Sequence, residues 1–144
     1  MGREYFIGID NGTQSTKTVV VDGETGRVLG KAVKEYGLIE GLPPGHKEQD
    51  PSIWIDALID TFKRAIRDAG INPRDVRAIG VSGQQHGLVP LDENGRVIRP
   101  AKLWNDTSTF RESNYLIRKL GGLKKVIDLL GLSIPPGYTA PKIL

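Results

Sequence analysis

Asp10, Gly12, Thr13, Gln14, Ser15 and Lys17 fall within one short turn of the segment Tyr5-Phe6-Ile7-Gly8-Ile9-Asp10-Asn11-Gly12-Thr13-Gln14-Ser15-Thr16-Lys17-Thr18-Val19-Val20-Val21-Asp22. A carboxylate, a glycine, hydroxyls and an ammonium in that order suit phosphate oxygens together with a divalent cation. Asp10 ends an apolar run, Gly12 lets the backbone turn without a Cβ clash, and Thr13 and Ser15 sit beside N–H donors that a turn leaves free. The same residue types also serve plain turn geometry, and the turn alone leaves both readings open. No Gly-x-x-x-x-Gly-Lys-Ser/Thr run occurs, which excludes a P-loop, and the Gly-x-Gly-x-x-Gly dinucleotide turn is missing after the first strand.

Two further groups end strand-like runs. Ser82-Gly83-Gln84-Gln85-His86-Gly87 carries an amide pair and an imidazole between glycines, where polar groups commonly face a ligand crevice. The competing reading of His86 is a structural histidine, and His46, in a Pro-Gly loop, has a weaker claim. Trp104-Asn105-Asp106 places an indole face beside an amide and a carboxylate, a set that suits a polyhydroxylated ligand. Its competing reading is a core tryptophan followed by a helix cap at Asp106 or Ser108. Trp54 reads as core, and Arg118-Lys119 and Lys124-Lys125 as a solvated helix surface.

Positioning these groups requires an α/β arrangement. The first two strands form a hairpin, Gly23 to Gly26 turns, and 27–36 alternates as a third antiparallel strand. The stretch 41–49 reads as a loop. Asp50 offers an N-cap and Pro51 a first helical position for an amphipathic helix carrying Trp54, Ala57, Leu58, Thr61, Phe62 and Ala65 and ending at Gly70. Residues 76–82 read as a buried fourth strand, parallel to the first by right-handed crossover. Runs 87–91 and 97–104 flank the hairpin signal Asp92-Glu93-Asn94-Gly95, with prolines pointing to edges or loops. Residues from about 108 to 120 and from 123 to 130 look helical, and Pro135-Pro136-Gly137 breaks that pattern.

The 144 residues suffice for one ordinary domain or part of one. Hydrophobic residues at 38% and charged residues at 26% place the chain among globular proteins and against disorder or a membrane span. The net charge of +3 suits an anionic small ligand, but basic and acidic residues are interspersed, so no nucleic-acid stripe is indicated. The absence of cysteine excludes disulfides, thiolate catalysis and zinc-thiolate sites. The start lacks the apolar core of a signal peptide, making a cytoplasmic location the expectation.

Taken in order, Gly8-Ile9-Asp10-Asn11-Gly12-Thr13-Gln14-Ser15-Thr16-Lys17, Glu48-Gln49-Asp50-Pro51 leading to Trp54, Gly80-Val81-Ser82-Gly83-Gln84-Gln85-His86-Gly87, Leu103-Trp104-Asn105-Asp106 and Gly137-Tyr138-Thr139-Ala140-Pro141-Lys142-Ile143-Leu144 resemble the N-terminal part of the FGGY family of carbohydrate kinases. The Gln-His pair is similar to that of the xylulokinase branch. The resemblance covers nearly the whole chain and implies an actin-like, ribonuclease-H-like domain with a mixed sheet, incomplete at its C-terminus, the rest of the first domain and the second domain being absent. It implies ATP and Mg²⁺ as cofactors, with Asp10 holding the metal largely through water. Gly12, Thr13, Gln14 and Ser15 would lie against the terminal phosphates and Lys17 would supply a nearby positive charge. It places Gln85, His86, Trp104, Asn105 and Asp106 in a sugar site. It places the general-base aspartate and most of the adenosine pocket beyond Leu144, so that these residues alone are expected to be inactive. The implied reaction is phosphorylation of a ketopentose, D-xylulose to D-xylulose 5-phosphate. The alternatives are another ketose, ribulose, a polyol, or a non-catalytic binding or assembly module. An exposed apolar sheet edge and homo-oligomerisation are also expected.

Overall fold

Alternation of Tyr5, Ile7 and Ile9 with Phe6, Gly8 and Asp10 sets the first strand: one row is buried and Asp10 turns to the opposite face. In the computed structural model, which describes residues 3–144, the elements in chain order are β1 (Tyr5–Asn11), β2 (Ser15–Asp22), β3 (Val28–Glu35), β4 (Glu48–Gln49), α1 (Ser52–Ala69), β5 (Val76–Gly83), β6 (Ala101–Lys102), α2 (Phe110–Lys119), α3 (Leu123–Leu130) and α4 (Thr139–Ile143). They form two compact units, one made of the chain up to Gly37 with Ser52–Gln84, the other of Leu38–Pro51 with Gln85–Leu144. No described helix is long and apolar enough to cross a membrane.

The first unit is a four-stranded sheet in the order β3-β2-β1-β5. β1 pairs antiparallel with β2 and parallel with β5, and β2 pairs antiparallel with β3, as the sequence pattern anticipates. Asp22 fixes the β2–β3 turn by accepting the backbone N–H of Thr25 at 2.8 Å and of Glu24 at 3.0 Å. Helix α1 begins at Ser52, one residue after the expected Pro51. It buries a row of small residues, Ala57, Thr61 and Ala65, which lets its axis lie close to the sheet. Gly30 shows how close: a Cβ there would come within 2.4 Å of the Ala65 carbonyl oxygen. The core is Tyr5, Ile7, Ile9, Val20, Ala32 and Ala65, with Leu58 and Phe62 packed against it. Inside it, Thr18 donates to Thr61 at 2.8 Å and Thr61 donates in turn to the Ala57 carbonyl at 2.8 Å, so two buried hydroxyls are satisfied in series.

Strand β5 departs from its expected burial. It stands at the end of the strand order while α1 lies over β2 and β3, so Ile79 and Val81 remain 50% and 65% exposed. Trp54, expected in the core, is half-buried.

The second unit contains the two-stranded sheet of β4 and β6, with Glu48 opposite Lys102 and Gln49 opposite Ala101. The first of these strands lies in the stretch read as loop. The hairpin expected across Asp92–Gly95 is reduced to two isolated antiparallel bridges, Leu91 with Val97 and Leu88 with Lys102, while 101–102 pair as β6 with β4. Helix α3 spans the expected 123–130, α2 is slightly shorter than the expected 108 to 120, and Gly121 and Gly122, both at positive φ, separate them. Helix α4 was not expected after Pro135-Pro136-Gly137. Pro141 lies in its first turn, where the missing N–H costs no helical bond. Thr109 donates to the Pro136 carbonyl at 2.8 Å and Ser113 to that of Ile134, tying α2 to the segment before α4.

Candidate functional site

Strand register explains how the first group of polar residues comes together. Asp10 lies opposite Lys17 across the β1–β2 ladder and opposite Ser82 across the β1–β5 ladder. The Ser82 hydroxyl donates to Asp10 Oδ1 at 3.1 Å, and Lys17 Nζ stands 3.9 Å from Oδ2. Both members of that ion pair are more than half exposed, so their mutual attraction is weak and each keeps capacity for a ligand. They line an open depression of about 530 Å³ with Gly8, Val19 and Val81.

The turn that follows is braced from below. Gly12 N–H donates to the Ser15 carbonyl at 2.9 Å. Tyr36, just past β3, donates its hydroxyl to the Gly12 carbonyl at 2.7 Å and its backbone N–H to the Gln14 carbonyl at 3.0 Å, with Thr16 Oγ1 at 3.1 Å. Burial raises the Tyr36 pKa, Thr16 opposes that and the Asp10 charge adds to it, so the phenol stays protonated and able to donate. Thr13 Oγ1 donates to Gln84 Oε1 at 3.1 Å, which leaves Gln84 Nε2 buried with no acceptor. A buried amide donor against Thr13 of this turn fits a phosphate oxygen, and the mixed carboxylate, hydroxyl and ammonium set of Asp10, Ser82 and Lys17 fits a hydrated divalent cation with its phosphates. Gln14 is exposed and Ser15 half-buried on the same turn. Tyr36 was not singled out from the sequence, and Ser82 and Gln84, though within the segment read as facing a ligand crevice, were assigned no role; the cross-strand register of Ser82 with Asp10 was the signal available.

The second group belongs to the second unit. Gln85 is exposed and His86 half-buried, with the His86 backbone at φ +58° and its ring stacked on Tyr138 at 4.2 Å and 14°. Trp104 is 51% exposed. Asn105 Oδ1 is buried and has no donor, an acceptor poised for a hydroxyl.

Asp106 is wholly buried, and its oxygens are engaged within the protein. They accept the Lys47 N–H at 2.8 Å, the Ser108 N–H at 2.9 Å and the Ser108 hydroxyl, and Lys102 Nζ lies 3.5 Å away. Burial by itself would raise the Asp106 pKa; the Ser108 hydroxyl, the N–H groups of Lys47 and Ser108 and the Lys102 charge outweigh it and hold the carboxyl below its ordinary range. His46, Glu48 and Asp106 approach one another closely enough to suggest a metal site. The cation there is already Lys102, 3.2 Å from Glu48, with Arg99 2.6 Å from the same Glu48 oxygen. The cluster is therefore an ion-pair network.

Comparison with known proteins shows the family. The family model described as the FGGY family of carbohydrate kinases, N-terminal domain, matches residues 5–144. A xylulose kinase from Haemophilus influenzae is 44% identical over 142 residues, covering 96% of this chain and 29% of its own length. The crystal structure of a xylulose kinase from Bifidobacterium adolescentis matches at TM-score 0.78 and 36% identity, over 98% of this chain and 28% of that one. A Plasmodium falciparum glycerol kinase with ADP matches at TM-score 0.82 and 21% identity over 98% of this chain and 28% of its own, a likeness of fold. The chain thus spans less than a third of the length of these relatives.

Proposed function

The chain belongs to the FGGY family of carbohydrate kinases and has their actin-like α/β fold, and we propose that it carries the phosphate-binding turn and the sugar-lining segments of a ketopentose kinase, D-xylulose being the acceptor. The observation that carries this reading is the juxtaposition of Asp10, Lys17 and Ser82 across the strands, together with the buried Gln84 amide, held by Thr13 of the turn, that lacks an acceptor. In this reading Asp10 holds Mg²⁺, Gly12, Thr13, Gln14 and Ser15 take the terminal phosphates of ATP, and Lys17 adds positive charge. Bound Mg²⁺ neutralises charge on the phosphates as the phosphoryl group transfers. Tyr36 contributes by holding the carbonyls of Gly12 and Gln14 away from the anion.

On the acceptor side, the exposed indole of Trp104 covers the C–H face of the sugar. The unpaired Asn105 carbonyl takes a hydroxyl, and Gln85 and His86 take others. Asp106 acts on this surface from beneath, through the backbone that carries Trp104 and Asn105. Its saturated hydrogen bonding and lowered pKa make it unsuited to take a proton from the sugar, so these residues alone turn over negligibly.

The test is ADP release with D-xylulose, D-ribulose and glycerol, run on this chain and on the Haemophilus influenzae relative, together with binding of the same compounds to this chain. We expect selective D-xylulose binding by both proteins. Only the relative should reach ordinary kinase rates of about 1–100 s⁻¹. Rapid ADP release by the 144 residues would refute the assignment of the base elsewhere, and equal binding of glycerol would refute the ketopentose reading.

A further inference from the structure

Lys142 is buried near the end of α4, and its ammonium meets backbone from separated parts of the chain. Nζ donates to the carbonyls of His86 at 2.7 Å, Leu103 at 2.7 Å and Gly137 at 2.6 Å. An ammonium has three N–H donors, so these acceptors saturate it, and a neutral amine would leave one carbonyl orphaned. Each carbonyl sits at a point that matters for the proposed acceptor surface. His86 is the sole described non-glycine residue at positive φ, a conformation unfavourable for a side chain with a Cβ unless its surroundings impose it. Leu103 precedes Trp104. Gly137 precedes Tyr138, whose ring stacks on His86, and a Cβ on Gly137 would lie 2.0 Å from the Trp104 carbonyl oxygen.

The geometry points to Lys142 as the positioning residue of the acceptor pocket: its ammonium pins the His86, Leu103 and Gly137 backbones together, holding the His86 imidazole against Tyr138 and setting the place of the Trp104 indole. The inference rests on the acceptor-pocket reading for its functional meaning. Its structural content, that the ammonium fixes the His86 conformation, is argued from the three hydrogen bonds and needs no ligand. With every N–H engaged, Lys142 has no donor left for phosphate and acts through its neighbours. Burial draws its pKa below that of an ordinary lysine, with Asp106 opposing and Lys102 reinforcing the shift.

The experiment is NMR of the 144-residue chain with D-xylulose as titrant, comparing the wild type, Lys142→Met, and Lys142→Cys before and after aminoethylation in denaturant. The chain has no other cysteine, so aminoethylation rebuilds a lysine-length ammonium at that one place. In the wild type the Lys142 ammonium protons should exchange slowly and the His86 ring protons should carry the upfield shift of a stacked tyrosine. Lys142→Met should abolish that shift and weaken D-xylulose binding at least about tenfold, while the Val126 and Ile134 methyl signals stay in place. Aminoethylation should restore both properties. Retention of the His86 shift and of D-xylulose affinity in Lys142→Met would overturn the inference, as would fast exchange of the wild-type ammonium. If Lys142→Met fails to fold, ammonium exchange and the aminoethylation rescue decide the question. Loss and rescue of the His86 shift without any D-xylulose binding by the wild type would uphold the positioning role and sink the acceptor-pocket reading. Unchanged shift with normal binding would do the reverse.

Discussion

Asp106→Ala should unravel the second unit far more than a loop substitution ordinarily would. The carboxylate is wholly buried and accepts the Lys47 N–H, the Ser108 N–H and the Ser108 hydroxyl, with Lys102 3.5 Å away. A hydrogen bond to a charged group contributes about 1.5–3 kcal/mol, but the contributions do not sum. The Ser108 hydroxyl can rotate to another partner, and Lys102 keeps Glu48 at 3.2 Å. The net loss should therefore be about 3–5 kcal/mol, the cost of removing one member of a buried charged network. Asp106→Asn keeps the shape and one acceptor but turns an amide N–H toward a backbone N–H, for a loss of about 1–3 kcal/mol. Urea unfolding followed by emission in a Trp54→Phe background, which leaves Trp104 as the one tryptophan, reads this unit. With a slope of about 1–3 kcal/mol per molar urea, Asp106→Ala should lower the midpoint by at least about 1 M. A midpoint within about 0.3 M of wild type would refute the claim that this carboxylate holds the loop and would return it to the ligand surface.

Acid should act on the same network. Glu48 is pushed up by burial but more strongly down by Arg99 and Lys102, and Asp106 likewise lies low, so both folded-state values fall below the ordinary 4.5 and 3.8. The unfolded chain then binds more protons than the folded one in that range. Stability is complete above about pH 5 and declines as pH drops through 4.5 and 3.8 and below, which urea midpoints measured from pH 7 to pH 3 will show. Gly137→Ala places a Cβ 2.0 Å from the Trp104 carbonyl oxygen; backbone displacement should cost about 1–3 kcal/mol and shift Trp104 emission, and unchanged emission would contradict the packing. Tyr36→Phe orphans the Gly12 carbonyl and removes the partner of buried Thr16, for a stability loss of about 1–2 kcal/mol with weakened Mg-nucleotide binding, read by thermal melts with and without nucleotide.

The sheet of the first unit was legible because period-two alternation fixes which side of β1 is buried. Once Asp10 is on the open face, the hairpin puts Lys17 beside it and the right-handed crossover puts Ser82 there too. The second unit was less legible, for a different physical reason. Its order comes from long-range polar contacts, such as Lys142 to three carbonyls and Asp106 to the Lys47 N–H, and single-chain periodicity carries no trace of them. Strand β4 is two residues long, too short for a pattern, and α4 was hidden by prolines that its first turn can accommodate. Trp104 suggested either core or ligand surface from sequence, and its 51% exposure favours the latter. Asp106 offered cap or sugar ligand, and only its burial and hydrogen bonding separate these roles.

The central claim is that the turn between β1 and β2 receives the phosphates of a Mg-nucleotide. Amide NMR of the chain titrated with Mg-ADP, in the wild type and in Asp10→Asn, tests it most directly. Saturable shifts should be confined to the Gly12, Thr13 and Ser15 amides and the Gln84 side-chain amide, should require Mg²⁺, and should weaken at least about tenfold in Asp10→Asn. Shifts that leave those resonances unmoved, or that survive Asp10→Asn at full affinity, would contradict it.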